Sequence, residues 1–273
     1  MPREASDRMI KEKGSLVVVG TGIRTVGQLT GDTIARLKTS TKVFYIIADL
    51  VGEQVIKQIQ PAAESLGRFY RLGRNRREAY DAMVERILSA VRDGHRTCCA
   101  AYGHPGVFAF PTHEAIRRAR AEGFEATMFP AVSAEDCLFA DLGVDPANPG
   151  CNSHEATRFV LYKKSVDPSS GLILWQVGMF GDATYRPEGN RGQWIHVLID
   201  RLLQHYPENH EVTLYEAAVF INCPPRIERI ALGKLADASL TPATTLYVPP
   251  ARGDVLDEET CAVLGIERAA LAR

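Results

Sequence analysis

Three stretches of this chain carry residue types that can do chemistry. Gly103-His104-Pro105-Gly106-Val107-Phe108 puts two glycines, a proline and a histidine in one short loop. Such a loop is rigid and shows backbone donors and acceptors to a ligand, the alternative being a tight surface turn with an incidental histidine. Upstream, the aromatic and basic segment from Phe69 to Tyr80 holds most of the five arginines that fall between Arg68 and Arg77. A run of this kind is commonly a solvated face. Arg76, however, lies four residues before Tyr80, so the two side chains share a face if that turn is helical. A guanidinium beside a phenol can hold a phenolate or a developing oxyanion through fixed donors. The third stretch, Gly20-Thr21-Gly22, would open a dinucleotide fingerprint if a glycine stood at position 25, but that residue is Thr25. A Rossmann phosphate loop is therefore disfavoured, and the GxG alone serves a ligand or a plain turn equally well. Asp49 is a weaker candidate still, because acids commonly end strands. His95, His104 and His113 lack paired ligand spacing, so no metal site is expected.

These stretches need elements to hold them. Ser15 to Val19 is a β-branched run that reads as a buried parallel strand entering the GTG loop, and Lys42 to Ala48 is a second. The segment Thr30 to Thr39 between them reads as a helix, completing a βαβ unit. From Glu78 to Asp93 the apolar positions Tyr80, Met83, Val84, Ile87, Leu88 and Val91 follow helical spacing, with Gly94 as the stop. Thr97 to Tyr102 is a third strand, delivering the His-Pro-Gly loop at its carboxyl end, where open parallel sheets bind ligands. A helix over His113 to Glu122 and a fourth strand over Ala126 to Phe129 follow. Ser133 and Asp136 have capping-box spacing at the head of the next helix. Asp145 to Gly150 is rich in turn residues. Beyond it strands are expected at Phe159–Tyr162, Leu172–Val177, Glu211–Glu216 and Thr244–Val248, with one helix over Gln193–His205. The expected organisation is a flexible arm (1–13), an N-terminal α/β domain (14–130), a C-terminal α/β domain (131–250) and a tail with a short helix (251–273).

Composition bounds the rest. Over 273 residues, 32 Lys+Arg balance 33 Asp+Glu and 45% of side chains are apolar, which describes an ordinary soluble globular chain. A net charge of −1 argues against an extended nucleic-acid or anionic-membrane surface. No stretch approaches the roughly 18 apolar residues of a membrane span, and the first residues lack a signal-like apolar run. The six cysteines form no CxxC pair, so they are read as reduced thiols of a cytoplasmic protein.

In order along the chain, the glycine-rich first loop, YGHPGVF (Tyr102 to Phe108), AVSAED (Ala131 to Asp136), ADLGVDP (Ala140 to Pro146), LWQVG (Leu174 to Gly178) and TLYVPP (Thr245 to Pro250) resemble the tetrapyrrole-methylase superfamily. Within it the chain is most similar to the borosin peptide-backbone α-N-methyltransferases, the likeness running from about Gly14 to Pro250. The resemblance implies a two-domain class III methyltransferase, with a mostly parallel N-terminal sheet and a mixed C-terminal one, binding S-adenosylmethionine between the domains. Residue by residue, it puts the methyl donor against Gly20, Tyr102, His104, Gly106, Val107, Ser133, Ala134, Gln176 and Thr244, with S-adenosylhomocysteine as product. The family's catalytic positions fall on Tyr70, Arg76 and Tyr80, and Tyr102 helps hold the amide. Chemistry points to the same residues. An amide nitrogen is a poor nucleophile because its lone pair is delocalised, so methylation needs the proton removed and the imidate oxygen stabilised. A tyrosine whose pKa is lowered by arginine, Tyr80 or Tyr70, is the expected base, with Arg76 as stabiliser.

In founding members of that family the enzyme is fused to its substrate, whereas this sequence ends shortly after Val248-Pro249-Pro250. The expectation is therefore a split enzyme acting on a separate precursor peptide, as a homodimer that forms a heterotetramer with two precursors. Two other readings remain open: a methyltransferase of a tetrapyrrole or other small ring, and a non-catalytic subunit that binds a leader peptide.

Overall fold

The computed structural model describes residues 13–47, 49–190 and 192–271. Apart from Lys13, the expected N-terminal arm lies outside the described residues. The run Val17-Val18-Val19 favours extended backbone and forms β1 (Ser15–Gly20). A single turn, α1 (Thr25–Gln28), precedes α2 (Gly31–Thr39), whose start is fixed by the Thr30 hydroxyl accepting from the Thr33 amide at 3.1 Å. β2 (Lys42–Ile46) stops two residues short of the expected end, and Ala48 lies outside the described residues. Asp49, weighed above as an acid at a strand end, is instead the N-cap of α3 (Leu50–Ile59), accepting from the Gly52 amide at 2.7 Å. Then come β3 (Glu64–Ser65), α4 (Arg76–Arg92), β4 (Arg96–Ala101), α5 (Phe110–Ala121) and β5 (Glu125–Met128).

These strands form a parallel sheet in the order β3-β2-β4-β1-β5. Parallel strands are buried on both faces, which β4 shows at two adjacent residues. Cys99 faces α4 and α5 with Met83, Ile87 and Leu88, while Cys98 points the other way, among Leu37 of α2 and Ile56 of α3. The expected stripe of α4 is the buried face, and Gly94 follows it with φ +93°, a conformation that glycine adopts without a Cβ clash. At the edge, Glu64 gathers Lys42 at 2.9 Å, Arg86 at 2.7 Å and Arg68. Burial alone would raise the Glu64 pKa, but the hydrogen bonds and charges of Arg86 and Lys42 outweigh it and hold the carboxyl at about 2.

The chain continues through α6 (Ala134–Leu142), β6 (Cys151–Glu155), α7 (Ala156–Leu161), β7 (Gly171–Trp175), α8 (Ile195–Leu203), β8 (Glu211–Glu216), β9 (Arg226–Ala231), β10 (Thr245–Val248) and α9 (Glu258–Leu264). The second sheet has the order β6-β7-β10-β8-β9, with β6 and β7 parallel and the other pairs antiparallel. It is the mixed sheet expected. One face packs on α7 and α8 through Phe159, Leu198 and Leu202; the other packs on α6, where Leu138 meets Ile173 and Tyr215.

The strand expected at Phe159–Tyr162 is a helix. Glu155 accepts from the Thr157 and Arg158 amides, starting α7, and helical spacing then buries Ala156 and Phe159 while leaving Leu161 and Tyr162 exposed. The strand lies immediately upstream in β6, whose polar sequence CNSHE hid it.

Candidate active site

Between the two sheets lies a cleft of about 360 Å³. Its floor is set by the loops at the carboxyl ends of β1 and β4. Gly22 and Gly103 form an antiparallel bridge, and the Thr21 amide donates to the Ala101 carbonyl at 2.9 Å. Gly20 sits where a Cβ would fall 2.3 Å from the Gly103 carbonyl oxygen and 2.5 Å from the Ala131 Cβ. The GTG loop thus lets two backbone segments approach each other, and Gly20 lies beneath the cleft rather than along its wall.

The His-Pro-Gly loop is braced from within. His104 Nδ1 accepts from the Gly106 amide at 2.9 Å, the Gly106 carbonyl meets His113 Nε2 at 2.8 Å, and the Thr112 hydroxyl bonds the Pro105 and Ala109 carbonyls. Tyr102, His104 and Val107 reach the cleft, whereas Gly106 packs behind them against Met128 and the two histidines. Ser133 closes the capping box at the head of α6, with its amide and hydroxyl both 2.7 Å from Asp136 Oδ2. Ser133 and Ala134 line the cleft, and so does Gln176, which follows β7 with φ +58°. Phe108 has φ +52°, also rare for a residue with a side chain, and its ring meets Trp175 across the cleft at 5.4 Å. Two such residues at one cleft mark it as a place where local strain is tolerated. Trp175 is buried with its indole donating to Ser153 Oγ at 2.7 Å, yet it also forms part of the cleft wall.

Thr244 departs from expectation. Its side chain is fully buried and bonds Glu216 Oε1 at 2.5 Å while accepting from the Thr241 amide at 2.8 Å. The cleft is lined instead by its neighbours Ala243 and Thr245 and by Glu216 itself. Thr241 and Arg226 also bond Glu216, each at 2.9 Å, so a carboxylate held by three donors faces the cleft. Glu216 was missed because its partners lie 10 to 28 residues away in sequence. Its place at the carboxyl end of β8 was the available signal.

The tyrosines meet at the other end. Tyr70 stacks on Tyr185 at 4.6 Å and stands edge-on to Tyr80 at 6.1 Å; both Tyr70 and Tyr80 line the cleft. Helix α4 begins at Arg76, but the Arg76 guanidinium bonds the Asp182 carbonyl at 2.9 Å and lines an adjoining hollow instead of the cleft. The expectation that arginine lowers a tyrosine's pKa is corrected for Tyr70. Burial, reinforced by Tyr80, pushes that phenol well above its ordinary value, and the charge of Arg76 offsets only a smaller part. Burial likewise raises Tyr102 to about 12. Among the described residues no group of three or more His, Cys, Asp or Glu is placed to hold a metal ion, and no helix is long and apolar enough to cross a membrane.

The sequence pattern of the tetrapyrrole (corrin/porphyrin) methylases matches residues 15–220. The chain belongs to the tetrapyrrole methylase family. The chain is 40% identical over 247 residues to the methyltransferase/ribosomally synthesized cyclic peptide dendrothelin A precursor of Dendrothele bispora, covering 89% of the chain and 59% of that protein. It is 38% identical over 241 residues to the corresponding omphalotin A precursor of Omphalotus olearius (87% of the chain, 58% of that protein). With the type III borosin cyclic peptide precursor of Anomoporia bombycina it shares 40% identity over 260 residues, 94% of the chain and 30% of that protein. The chain thus spans well under two thirds of the length of these relatives. Among solved structures it resembles the cobalamin biosynthetic enzyme cobalt precorrin-4 methyltransferase, with TM-score 0.63 and 16% identity over 86% of this chain and 94% of that one. It also resembles the uroporphyrin-III-C-methyltransferase of Thermus thermophilus, with TM-score 0.63 and 17% identity over 87% and 93%. These two likenesses carry the fold.

Proposed function

We propose that this methyltransferase transfers methyl groups from S-adenosylmethionine to backbone amide nitrogens of a peptide supplied as a separate chain. The observation that carries the reading is the cleft itself. Tyr70, Tyr80 and Tyr102 line it together with the loop residues His104, Val107, Ser133, Ala134 and Gln176, and the relatives at about 40% identity are named as methyltransferases joined to cyclic-peptide precursors.

The chain's residues fit the methyl donor. Ala134 brings a backbone amide at the head of α6, where the helix dipole favours negative charge. Glu216 gives a fixed acceptor, and the wall between them is largely apolar. When bound, the donor supplies an electrophilic methyl on sulfonium sulfur. The amide nitrogen gains the new N–C bond and loses its proton, and the bond from methyl carbon to sulfur breaks. Tyr70, held protonated by burial, suits a hydrogen bond to the amide oxygen as negative charge develops there. Tyr80, edge-on beside it, is then the proton acceptor: its phenolate oxygen takes the amide proton and becomes the neutral phenol. Arg76 acts from behind Tyr70, where its charge offsets part of the cost of negative charge on that phenol.

The same reading takes the molecule to be a cytoplasmic homodimer with one precursor per subunit. Four half-exposed apolar side chains, Val26, Val51, Phe220 and Ile221, surround a single surface hollow, which supports burial against another protein. Light scattering on the purified chain tests the dimer. The substrate class is tested by incubating the chain with isotopically labelled methyl donor and either an apolar peptide or a uroporphyrinogen. Label in the peptide alone supports the proposal; label in the ring alone refutes it.

A further inference from the structure

Behind the Tyr70–Tyr185 stack lies a second hollow of about 300 Å³, walled by Arg71, Arg74, Arg76, Phe69 and Tyr185 with Glu78 at one side. Its two walls come from distant parts of the chain and are joined by backbone. Asn75 and Thr184 form an antiparallel bridge; the Gly73 amide donates to the Tyr185 carbonyl at 3.0 Å, the Tyr185 amide to the Arg74 carbonyl at 2.8 Å and the Arg76 amide to the Ala183 carbonyl at 3.0 Å. The hollow is therefore a fixed feature of the fold. Its arginines are unequally committed. Arg76 is tied to the Asp182 carbonyl, and Arg77 outside the hollow pairs with Asp81, but among the described residues neither Arg71 nor Arg74 meets a carboxylate. Two unpaired guanidinium forks in a concave site, with only Glu78 against them, leave it short of negative charge.

We infer that this hollow is a subsite for a carboxylate side chain, Asp or Glu, on the peptide whose backbone enters the adjoining cleft. The inference rests on the peptide reading above. Tyr70 lines the cleft and Tyr185 lines the hollow, and their rings are 4.6 Å apart, so a peptide emerging past Tyr70 passes the arginines next. The shape fits one or two side chains with their apolar stems on Phe69 and Tyr185. It does not fit a nucleic-acid backbone, which needs a continuous basic track rather than one enclosed spot on a chain of net charge −1.

The test uses two labelled peptides with the same apolar Val/Ile segment, one preceded by Glu-Glu-Glu and the other by Gln-Gln-Gln, with fluorescence anisotropy measuring binding to the purified chain. At low salt the Glu peptide binds about tenfold tighter, and the preference fades as added salt shortens the screening length to about 3 Å at 1 M. Arg71→Ala/Arg74→Ala, both exposed positions, binds the two peptides alike. Equal affinities in the unmodified chain overturn the subsite, with or without the variant, as does a preference that survives in the variant. Displacement of the Glu peptide by an RNA of equal length at equal concentration also overturns it. Methyl transfer is followed on the same samples. A Glu preference without any methylated product leaves the subsite standing and counts against the transferase reading, so the two can fail separately.

Discussion

Tyr70 and Tyr185 stack with ring centroids 4.6 Å apart and planes within 16° of parallel, and this pair joins a loop before α4 to a loop after β7. Around it the Arg76 side chain reaches the Asp182 carbonyl. The tyrosines proposed to act on the amide are thereby fixed by both halves of the molecule, and packing of this kind holds reacting groups in one geometry.

Removing one hydroxyl from the pair separates chemistry from binding. Tyr80→Phe keeps the ring packing with Phe110 at 6.0 Å, so methyl-donor affinity measured by calorimetry stays within about twofold. The rate of transfer falls by about 10² or more, the usual scale for losing a positioned acid or base.

The Tyr70 phenol gives a pH signature. Because burial raises its pKa, the neutral form that donates a hydrogen bond persists through neutral and moderately alkaline pH and is lost only as pH climbs through the raised value. Transfer rate plotted against pH therefore shows no fall from Tyr70 near the ordinary phenol value of about 10. A Tyr70→Phe enzyme with the same rate as the parent at every pH would remove this hydroxyl from the account.

At the sheet edge, Glu64 links stability to acid. Its folded pKa of about 2 lies below the ordinary value near 4.5, so its contribution is complete above about pH 4.5 and disappears as pH falls toward 2. Glu64→Gln is expected to cost about 2 kcal/mol at pH 7, since three cations lose their shared partner. In denaturant titrations the difference between the two proteins shrinks steadily below pH 4.5.

Thr244 is expected to act on the cleft through Glu216. Thr244→Val removes the donor to Glu216 and the acceptor for the Thr241 amide, costing about 1–3 kcal/mol without any ligand present. Thr244→Ser restores both bonds. A valine variant that melts like the parent would contradict this role for the Thr244 hydroxyl.

Gly20→Ala tests the loop floor. The added methyl would lie 2.3 Å from the Gly103 carbonyl oxygen and 2.8 Å from Pro105 Cδ, so the loops must separate. A stability loss of about 1–3 kcal/mol is expected together with weaker methyl-donor binding.

How much of this could be read from the residues depended on the range of the interactions involved. The Val-rich β1 and the stripe of α4 carry their pattern locally, and the Ser133–Asp136 box is a three-residue motif, so all three are where the spacing puts them. Phe159 to Tyr162 is apolar but too short for its period to separate strand from helix, and Glu155, which decides the matter by capping, lies outside the run. The alternating RIERIA of β9 is an edge strand whose charged residues mask its strand pattern. In the site, the loop positions 102–107 were legible because the backbone there is peculiar. The directions taken by Thr244 and Arg76 were not, since each is fixed by a partner far along the chain, Glu216 and Asp182.

The central claim is that the tyrosine end of the cleft methylates a backbone nitrogen. Its most direct measurement is tandem mass spectrometry of an apolar peptide after incubation with the purified chain and S-adenosylmethionine, comparing the parent with Tyr80→Phe. The account predicts added methyl groups on backbone nitrogens in the parent reaction and almost none with the variant. Methyl groups found only on side chains or termini, or the same backbone methylation from both proteins, would contradict it.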